Sequence, residues 1–340
     1  MMRKWSLEDK NVHKYIEDAC MPEPAEDEVL IRVMACGICG SDIIRVYETG
    51  AHRMPLTIGH EFSGSVVKVG SSVDRSYLNT RVGVFPLIPC RKCLACRQKK
   101  YEMCSDYSYL GSRCDGGFAD YVCVPKWNII ELPDNVTYEQ AAMLEPMSVA
   151  VHAIRQLAVN SQASVAVCGL GTIGQLIVMF LLQEGVKNVY AIGNKTIQKD
   201  ALQKIGLSKE HYCDSRTEDV EEWIKEKTKE MGIDAYFECV GRNDTVSLGI
   251  EIVAPNGQIC LVGNPCTDMS LPQNSYWKIL RKQLTLKGTW NSSFYGMADD
   301  EALSDDWNYV LGHLTEGKIK PEALITHRFG LAEIDAGFEI

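Results

Sequence analysis

The sequence predicts an α/β protein with two domains, a β-rich domain first and then a domain built on a doubly wound parallel sheet. The chain has 340 residues, more than a single hydrophobic core usually serves. Short β-rich stretches bounded by glycine or proline fill its first part, whereas apolar strands and helices alternate from about residue 155. We expect residues 1–154 and 298–340 to form the first domain and residues 155–297 the second.

Three stretches support the β-rich prediction for the first domain. Residues 28–35 (EVLIRVMA) and 62–70 (FSGSVVKVG) are rich in branched aliphatic side chains. Residues 116–125 (GGFADYVCVP) begin at a Gly-Gly turn and end at proline. Short strands separated by turn residues indicate an irregular, barrel-like β-domain.

The second domain is predicted from the alternation of strands with helices. The stretch SVAVCGLGTIGQLIVMFLLQEG indicates a buried strand, a glycine turn and an apolar helix. VYAI is the next strand, a helix follows to about residue 205, and DAYFECVG and QICLVG supply later strands. Near-continuous apolar strands of this kind are typical of a parallel sheet covered on both faces. After a loop beyond Trp290, apolar residues recur at helical spacing: Leu303, Trp307, Val310, Leu311 and Leu314.

Composition and charge exclude several classes of protein. With 46% hydrophobic and 24% charged residues, the chain is typical of a globular protein rather than a disordered or fibrous one. The net charge of −10 argues against a nucleic-acid-binding surface. Residues 165–182 are almost entirely apolar, but three glycines among their first ten residues favour a buried strand–turn–helix over a membrane span. The N-terminus lacks the apolar core of a secretory signal, so we expect a cytoplasmic protein.

Four of the 14 cysteines lie close together in the pattern C-x2-C-x2-C-x7-C: Cys90, Cys93, Cys96 and Cys104. In a reducing compartment, clustered cysteines usually indicate a metal or catalysis rather than disulfides. Four thiolates at this spacing favour a closed tetrahedral zinc site, which stabilises a loop and leaves no position for a substrate. The alternatives are an iron–sulfur cluster and four unrelated buried thiols.

A second group of potential metal ligands is spread over a longer stretch of the chain. Cys39 lies in ACGICGSD, His60 and Glu61 lie in GHEFSG, and Glu145 lies in LEP. One cysteine, one histidine and one or two carboxylates suit a catalytic zinc with an exchangeable position. Asp42 could then orient the His60 imidazole from behind. The alternative is a histidine that is only packed or hydrogen-bonded, which is the commoner role for an isolated one.

A glycine-rich turn indicates the cofactor. The motif G-x-G-x-x-G directly follows the strand SVAVC and opens a helix; it contains Gly169, Gly171, Thr172, Ile173 and Gly174. In this context the motif is the dinucleotide-binding fingerprint of the Rossmann fold, whose helix N-terminus faces the pyrophosphate. A plain glycine turn is the alternative.

The choice between NAD and NADP depends on the end of the second strand, where NAD-binding proteins carry an acidic residue. Gly193, Asn194 and Lys195 occupy that place, and there is no Asp or Glu between Val189 and Gln198. Gly193 leaves room and Lys195 could pair with a 2′-phosphate, which favours NADP. In the alternative, NAD is bound in another way and Lys195 is a solvated loop charge.

Taken in order, the motifs GICGSD, GHEFSG, the four-cysteine lobe, GGFADY, LEP and GLGTIG resemble the zinc-dependent medium-chain alcohol and polyol dehydrogenases. The match runs from about residue 25 onward. The resemblance implies a GroES-like catalytic domain that holds two zinc ions, one catalytic and one structural, and a Rossmann coenzyme domain. It implies that Cys39 and His60 bind the catalytic zinc. It also implies that Glu61 is an intermittent ligand and that Glu145 takes the third ligand position, as in polyol dehydrogenases.

The same resemblance implies a reversible oxidation of a secondary alcohol with hydride transfer to NAD(P). Ser41 matches the hydroxyl that takes the proton of the alcohol. Ile44 stands where many relatives have a histidine that completes the proton relay, so we expect water or Glu145 to serve there. Relatives pair through the coenzyme domain, and we expect a homodimer or homotetramer.

The substrate class is predicted from three further stretches of the sequence. Residues 49–64, 111–121 and 278–290 resemble the subfamily that acts on galactitol 1-phosphate, which favours a polyol phosphate over a free polyol. A phosphate needs a cationic anchor, and Arg45, in the short loop shared with Ile44, is the candidate. Its alternative role is a surface salt bridge. A free polyol such as sorbitol, a vicinal diol or L-threonine stays open as the substrate. A catalytically silent cofactor-binding homologue also stays open.

A zinc-ribbon nucleic-acid module would rest on the cysteine lobe alone, and we expect neither nucleic acid nor a membrane as a partner.

Overall fold

The computed structural model describes residues 1–265, 267–296 and 305–340, and the chain divides into two compact units. The first comprises Met1–Glu145, Ser292–Gly317 and Ile325–Ile340, and the second comprises Pro146–Asn291 and Lys318–Leu324. The domain limits expected from the sequence stay a prediction. The expected limit between residues 297 and 298 lies outside the described residues.

A five-stranded antiparallel sheet with the strand order β8-β3-β4-β5-β9 forms the centre of the first unit. Two smaller antiparallel sheets pair β1 with β2 and β6 with β7. The strands are β1 (Met2–Asp9), β2 (Val12–Ala19), β3 (Glu28–Gly37), β4 (Glu61–Val69), β5 (Arg81–Val84), β6 (Leu87–Ile88), β7 (Ser108–Tyr109), β8 (Tyr121–Pro125) and β9 (Ile129–Glu131).

The strands predicted at 28–35 and 62–70 are confirmed as β3 and β4, which pair with each other. Their branched aliphatic side chains form the core of the sheet; Val29, Ile31 and Val66 are fully buried. These side chains therefore hold the two strands together; β3 ends and β4 begins close to the candidate site described below.

The strand predicted over 116–125 forms only in its second half, since β8 begins at Tyr121. The first half is a loop packed tightly against its neighbours. A side chain at Gly116 would overlap the carbonyl oxygen of Gly59, and one at Gly117 would lie 2.8 Å from Phe62. The two glycines therefore allow the loop to pack closely against its neighbours, and they do not form a turn that starts a strand.

The helices of the first unit are short, apart from one near the C-terminus. They are α1 (Gly40–Ile44), α2 (Leu94–Arg97), α3 (Tyr138–Ala142), α10 (Asp306–Thr315) and α11 (Ile334–Phe338). The predicted C-terminal helix is confirmed from Asp306 onward, with Trp307, Val310 and Leu314 buried; Leu303 lies outside the described residues.

The prediction of a short loop around Ile44 and Arg45 is wrong. The chain is helical there, because a wider helical turn, Arg45–Thr49, continues α1. Residues three and four positions apart on a helix face the same side. Arg45 is therefore brought over Ser41 and Asp42, which decides the geometry of the candidate site.

A six-stranded parallel sheet with the order β12-β11-β10-β13-β14-β15 forms the second unit. Its strands are β10 (Ser164–Cys168), β11 (Asn188–Gly193), β12 (Tyr212–Asp214), β13 (Ile233–Glu238), β14 (Val253–Leu261) and β15 (Thr285–Gly288). Its helices are α4 (Leu144–Arg155), α5 (Thr172–Gln183), α6 (Thr196–Lys204), α7 (Val220–Thr228), α8 (Asn243–Ile252) and α9 (Gln273–Lys282). The division between the units falls inside α4.

This strand order is that of the Rossmann fold, and it confirms the predicted doubly wound sheet. The direction in which strands are added reverses between β10 and β13, and such a switch point opens a crevice at the carboxyl ends of the strands. Residues 165–182 form β10 and α5, which confirms the predicted strand–turn–helix. In the described part of the chain, no helix is both long and apolar enough to cross a membrane.

Candidate active site and cofactor loop

The four cysteines of the lobe come together in the first unit. Their sulfur atoms all lie within 4.8 Å of one another. The Sγ atoms of Cys90 and Cys96 are 4.0 Å apart, and those of Cys93 and Cys104 are 3.9 Å apart. Four thiolates held tetrahedrally at about 2.3 Å from a zinc ion would be separated by about 3.8 Å. The cluster therefore fits a closed zinc site, and four unrelated thiols do not account for this geometry.

Backbone N–H groups donate hydrogen bonds to two of these thiols. The backbone N–H of Cys90 donates to Cys104 Sγ at 3.3 Å, and that of Cys96 donates to Cys93 Sγ at 3.5 Å. Hydrogen bonds to a thiolate stabilise its charged form. Backbone N–H groups, that of Cys96 first, lower the pKa of Cys93 to about 5.

The ends of two paired strands bring Cys39, His60 and Glu61 together. Cys39 follows β3, His60 immediately precedes β4, and Glu61 begins β4, opposite Gly37. The potential ligand atoms of the three lie within 4.8 Å of one another, and His60 and Glu61 are buried. A thiol, an imidazole and a carboxylate form a donor set suited to zinc.

Glu145 is buried nearby without being a member of that group of three. Its Oε1 accepts a hydrogen bond of 3.0 Å from the hydroxyl of Tyr109. Burial raises the pKa of Glu61 to about 8, and the negative charge of Glu145 adds to this effect. The two carboxylates therefore interact, with Glu61 beside Cys39 and His60 and with Glu145 held by Tyr109.

Asp42 links three parts of the site. Its Oδ1 lies 3.3 Å from His60 Nδ1 and accepts a hydrogen bond of 3.1 Å from Arg45 Nη1, while Oδ2 accepts one of 3.1 Å from the backbone N–H of Cys39. Burial by itself would lower the pKa of His60, but Asp42 and Cys39 outweigh it and raise that pKa well above its ordinary value. Asp42 thus lies against His60, where its predicted orienting role requires it to be.

Ser41 and Arg45 lie on the same side of the helical segment. Ser41 Oγ accepts a hydrogen bond of 2.9 Å from Arg45 Nη1 and donates one of 3.3 Å to Cys39 Sγ. The side chain of Arg45 is only 19% exposed, and it pairs with a fully buried carboxylate. Arg45 is therefore part of the site and not a solvated surface charge.

Acidic groups outnumber basic ones in this cluster: Cys39, Asp42, Glu61 and Glu145 against His60 and Arg45. Burying negative charge without compensation is costly. A bound divalent cation would supply the missing positive charge. Charge balance and donor chemistry thus both fit a metal at this position.

The three glycines of the fingerprint have three different tasks in the structure. Gly169 has a φ of 92°, a backbone conformation that residues with a side chain rarely adopt, and it makes the tight turn after β10. A side chain at Gly171 would meet no atom within 4 Å, so space is open for a ligand to approach the backbone. A side chain at Gly174 would overlap the carbonyl oxygen of Gly169, so the third glycine permits close packing of helix on strand. The loop fits a dinucleotide pyrophosphate, with Thr172 and Ile173 opening α5.

Gly193, Asn194 and Lys195 lie at the carboxyl end of β11. Gly193 is buried, whereas Asn194 and Lys195 are exposed and Lys195 precedes α6. A side chain at Gly193 would lie 2.6 Å from Leu170 of the fingerprint loop. A side chain here would have to displace the end of the Leu170 side chain, so glycine suits this position whatever the cofactor.

Two residues of these sites went unnoticed in the sequence. Tyr109 gave no signal, because its partner Glu145 is 36 residues away. Glu238 ends the apolar strand β13 and is buried, where it accepts hydrogen bonds from the backbone N–H of Val240 and the hydroxyl of Thr245. It thereby shapes the loop that packs against Gly169. A lone acid closing a buried strand was the available signal for Glu238.

Comparisons with known proteins agree with this architecture. Residues 25–134 match the alcohol dehydrogenase GroES-like domain, and residues 172–310 match the zinc-binding dehydrogenase domain. The chain is 35% identical to galactitol 1-phosphate 5-dehydrogenase of Escherichia coli, over 92% of this chain and 89% of that protein. It is 32% identical to L-threonine 3-dehydrogenase of Caldanaerobacter subterraneus subsp. tengcongensis, over 94% and 90% of the two chains. A zinc-binding dehydrogenase of Sinorhizobium meliloti, solved with NADP bound, superposes with a TM-score of 0.90 at 26% identity, over 100% and 96% of the chains.

The chain belongs to the zinc-dependent medium-chain alcohol and polyol dehydrogenases. It is accordingly an NAD(P)-dependent dehydrogenase of the zinc-dependent alcohol dehydrogenase type. The relatives differ in substrate, so family membership defines the class of reaction and not the particular alcohol.

Proposed function

We propose that this enzyme reversibly oxidises a secondary alcohol of a polyol phosphate, with galactitol 1-phosphate as the leading candidate. The observation that supports the proposal is a guanidinium, Arg45, within hydrogen-bond distance of Ser41 beside the group Cys39, His60 and Glu61. A cation at that place suits a substrate that carries both a hydroxyl to be oxidised and a phosphate. The similarity to galactitol 1-phosphate 5-dehydrogenase supports the same substrate class.

Cys39, His60 and a carboxylate, Glu61 or Glu145, would hold the catalytic zinc. When bound there, zinc lowers the pKa of a substrate hydroxyl, and the nicotinamide of NAD(P) supplies the hydride acceptor. Asp42, whose Oδ1 lies 3.3 Å from His60 Nδ1, would orient the imidazole of His60, and its Oδ2 accepts a hydrogen bond from the backbone N–H of Cys39. The four cysteines of the lobe would hold a second, structural zinc.

Ser41 is the group that accepts the proton of the substrate hydroxyl. Arg45 orients the Ser41 hydroxyl by donating a hydrogen bond to it. A guanidinium stays protonated and has no acceptor, so Arg45 cannot carry the proton further. Ile44 is aliphatic and cannot carry it either. Water reaching Ser41 therefore completes the relay, with Glu145 as the alternative acceptor.

The phosphate-anchor role of Arg45 is tested by the variant Arg45→Ala. We expect KM for a phosphorylated polyol to rise roughly tenfold or more, because a charge-assisted hydrogen bond is lost. kcat should fall for phosphorylated and free polyols alike, because Ser41 loses its donor. Arg53→Ala, which removes an exposed arginine of the same unit, is the matched control. An equal change of KM for both kinds of substrate would reject the anchor role.

A substrate panel tests the proposed function as a whole. Galactitol 1-phosphate, galactitol, sorbitol, 2,3-butanediol and L-threonine are each assayed with both cofactors by reduced-nicotinamide absorbance. The highest kcat/KM is expected for the phosphorylated polyol. A clear preference for L-threonine, which the similarity to L-threonine 3-dehydrogenase makes the second candidate, would reject it. Zinc and cofactor bound without turnover of any of the five would support the catalytically silent homologue.

We propose NADP as the preferred cofactor, because no acidic residue lies between Val189 and Gln198 and Lys195 is exposed beside the end of β11. The measurement is kcat/KM with NAD and with NADP, and a clear NAD preference would reject the proposal. Binding of NADP by the Sinorhizobium meliloti dehydrogenase supports it.

We further propose a homodimer or homotetramer. Strand β15 is an edge of the parallel sheet, and aromatic side chains of α9, Tyr276 and Trp277, are exposed. Exposed edges and apolar side chains of this kind are typical of subunit contacts. Light scattering after size-exclusion chromatography tests it, and the mass of a single chain would reject it. The expected cytoplasmic location stays a prediction.

A further inference from the structure

The end of the neighbouring strand β12 contributes a cation to the place where the ribose of the cofactor is expected. In the parallel register, Gly193 of β11 pairs with Asp214 of β12. Beyond Asp214, both the backbone N–H and the hydroxyl of Ser215 donate to the carbonyl oxygen of Gly193, at 2.9 Å and 3.1 Å. Arg216, the next residue, is therefore tied to the end of β11 although it is 23 positions further along the sequence.

The ion pair between Arg216 and Asp214 can open at a small cost in free energy. Its Nε donates to Asp214 Oδ1 at 2.9 Å and its Nη2 donates to Oδ2 at 2.6 Å. The Arg216 side chain is 56% exposed, and solvent-exposed ion pairs contribute little to stability. Asp214 also accepts a hydrogen bond from the backbone N–H of Arg216, so the carboxylate keeps a partner if the guanidinium turns away.

Two lysines lie at the same edge of the sheet as Arg216. Lys195 lies two residues after Gly193, and Lys199 lies on the first turns of α6 with its ammonium 5.5 Å from the ring of Tyr212 in β12. The hydroxyl of Tyr212 donates to the carbonyl oxygen of Lys195 at 3.3 Å, which ties β12 to the segment that follows β11. A dianionic phosphate at this edge would find these cations together with two carboxylates, Asp214 and Glu218. Each carboxylate keeps a backbone N–H donor, that of Arg216 for Asp214 and that of Asp214, at 3.0 Å, for Glu218.

We propose that Arg216 is a specificity-determining residue for the cofactor, releasing Asp214 to pair with the 2′-phosphate of NADP. The inference rests on the NADP preference proposed above. The proposal assigns the choice between NADP and NAD to a residue that follows β12, whereas the dinucleotide-binding fingerprint considers only the end of β11. In the rival assignment, Asp214 accepts a hydrogen bond from the ribose 2′-hydroxyl of NAD, and Arg216 merely holds that carboxylate.

Binding measurements on the whole enzyme distinguish these assignments without turnover. Isothermal titration calorimetry gives Kd for NADP, NAD, adenosine 2′,5′-bisphosphate and adenosine 5′-monophosphate with wild type, Arg216→Ala and Asp214→Asn. Arg216→Ala should weaken NADP and the bisphosphate roughly tenfold or more, because a charged hydrogen-bond donor is lost. NAD and the monophosphate should stay within about twofold. Asp214→Asn should tighten NADP roughly two- to fivefold, since a competing charge is removed.

The control is Arg242→Ala, which removes an exposed arginine from a similar pair with Asp244 two positions on. It should leave the ratio of the NADP and NAD dissociation constants unchanged. If wild type prefers NADP but Arg216→Ala changes both cofactors equally or neither, the role of Arg216 is rejected and the cofactor proposal survives. If wild type prefers NAD and Asp214→Asn weakens NAD, the rival assignment holds and both proposals are rejected. The substrate panel is independent of either result.

Discussion

One glycine, Gly37, makes room for a potential ligand of the candidate metal site. Gly37 lies opposite Glu61 in the pairing of β3 with β4, and a side chain there would overlap Glu61 Oε2. Gly40 lies three residues away at the start of α1, and a side chain there would meet nothing within 4 Å. The two glycines look equivalent in the motif GICGSD, yet only the first has a structural reason to be glycine.

This difference gives a prediction at the residue scale. Gly37→Ala should displace the Glu61 carboxylate, lower the free energy of unfolding by about 1–3 kcal/mol and weaken binding of the catalytic zinc. Gly40→Ala should stay within about 0.5 kcal/mol of wild type. Zinc content by atomic emission and denaturant unfolding measure both effects. Equal behaviour of the two variants would show that Gly37 does not make room for Glu61.

A lysine at the end of α9 stabilises the junction of α8 with β14. Lys282 Nζ donates to three backbone carbonyl oxygens, those of Ile250 at 3.0 Å, Glu251 at 2.7 Å and Val253 at 2.8 Å. The last carbonyls of a helix have no partner within that helix. A cation there satisfies them and is also favoured by the helix dipole.

At the element scale, we therefore expect Lys282→Met to lower the free energy of unfolding by about 1–3 kcal/mol, because carbonyl groups lose a charged donor. Lys225→Met provides the control, since Lys225 pairs with Glu222 on the exposed face of α7 and should matter by less than about 0.5 kcal/mol. Urea unfolding measures both. A loss no larger for Lys282 than for Lys225 would contradict the capping role.

At the scale of the whole molecule, each of the two units has its own sheet and core. Both candidate metal sites lie in the first unit, apart from the parallel sheet. Loss of a structural metal should therefore affect the two units differently, because a closed zinc site stabilises the loop that surrounds it.

The prediction concerns the double variant Cys93→Ser with Cys104→Ser. Zinc content should fall from about two ions to about one per chain. Hydrogen exchange should accelerate in β6, α2 and β7, while β10 and β13 keep their protection. Cys20→Ser removes an exposed thiol of the same unit that is outside the cluster and should change neither quantity. Unchanged zinc content in the double variant would contradict a zinc site in the lobe.

Local patterns explain why much of this molecule could be predicted. The cysteine lobe is encoded within 15 residues and the fingerprint within six, so ligand spacing and turn geometry are visible directly. Strands β3, β4, β10 and β11 could be predicted because buried strands contain runs of branched aliphatic residues, which are visible in the sequence. The helix carrying Arg45 was missed, because five residues without a clear apolar period give little signal.

The sequence by itself thus determined the family, the two-part α/β architecture, the ligand candidates and the dinucleotide loop. Only the tertiary structure decided that Glu61 joins Cys39 and His60, that Tyr109 holds Glu145, and that Arg216 lies beside the end of β11. The reason is physical. The features predicted from the sequence depend on residue spacing within short segments. The contacts seen in the structure join residues far apart in the chain, which only strand register and helix packing bring together.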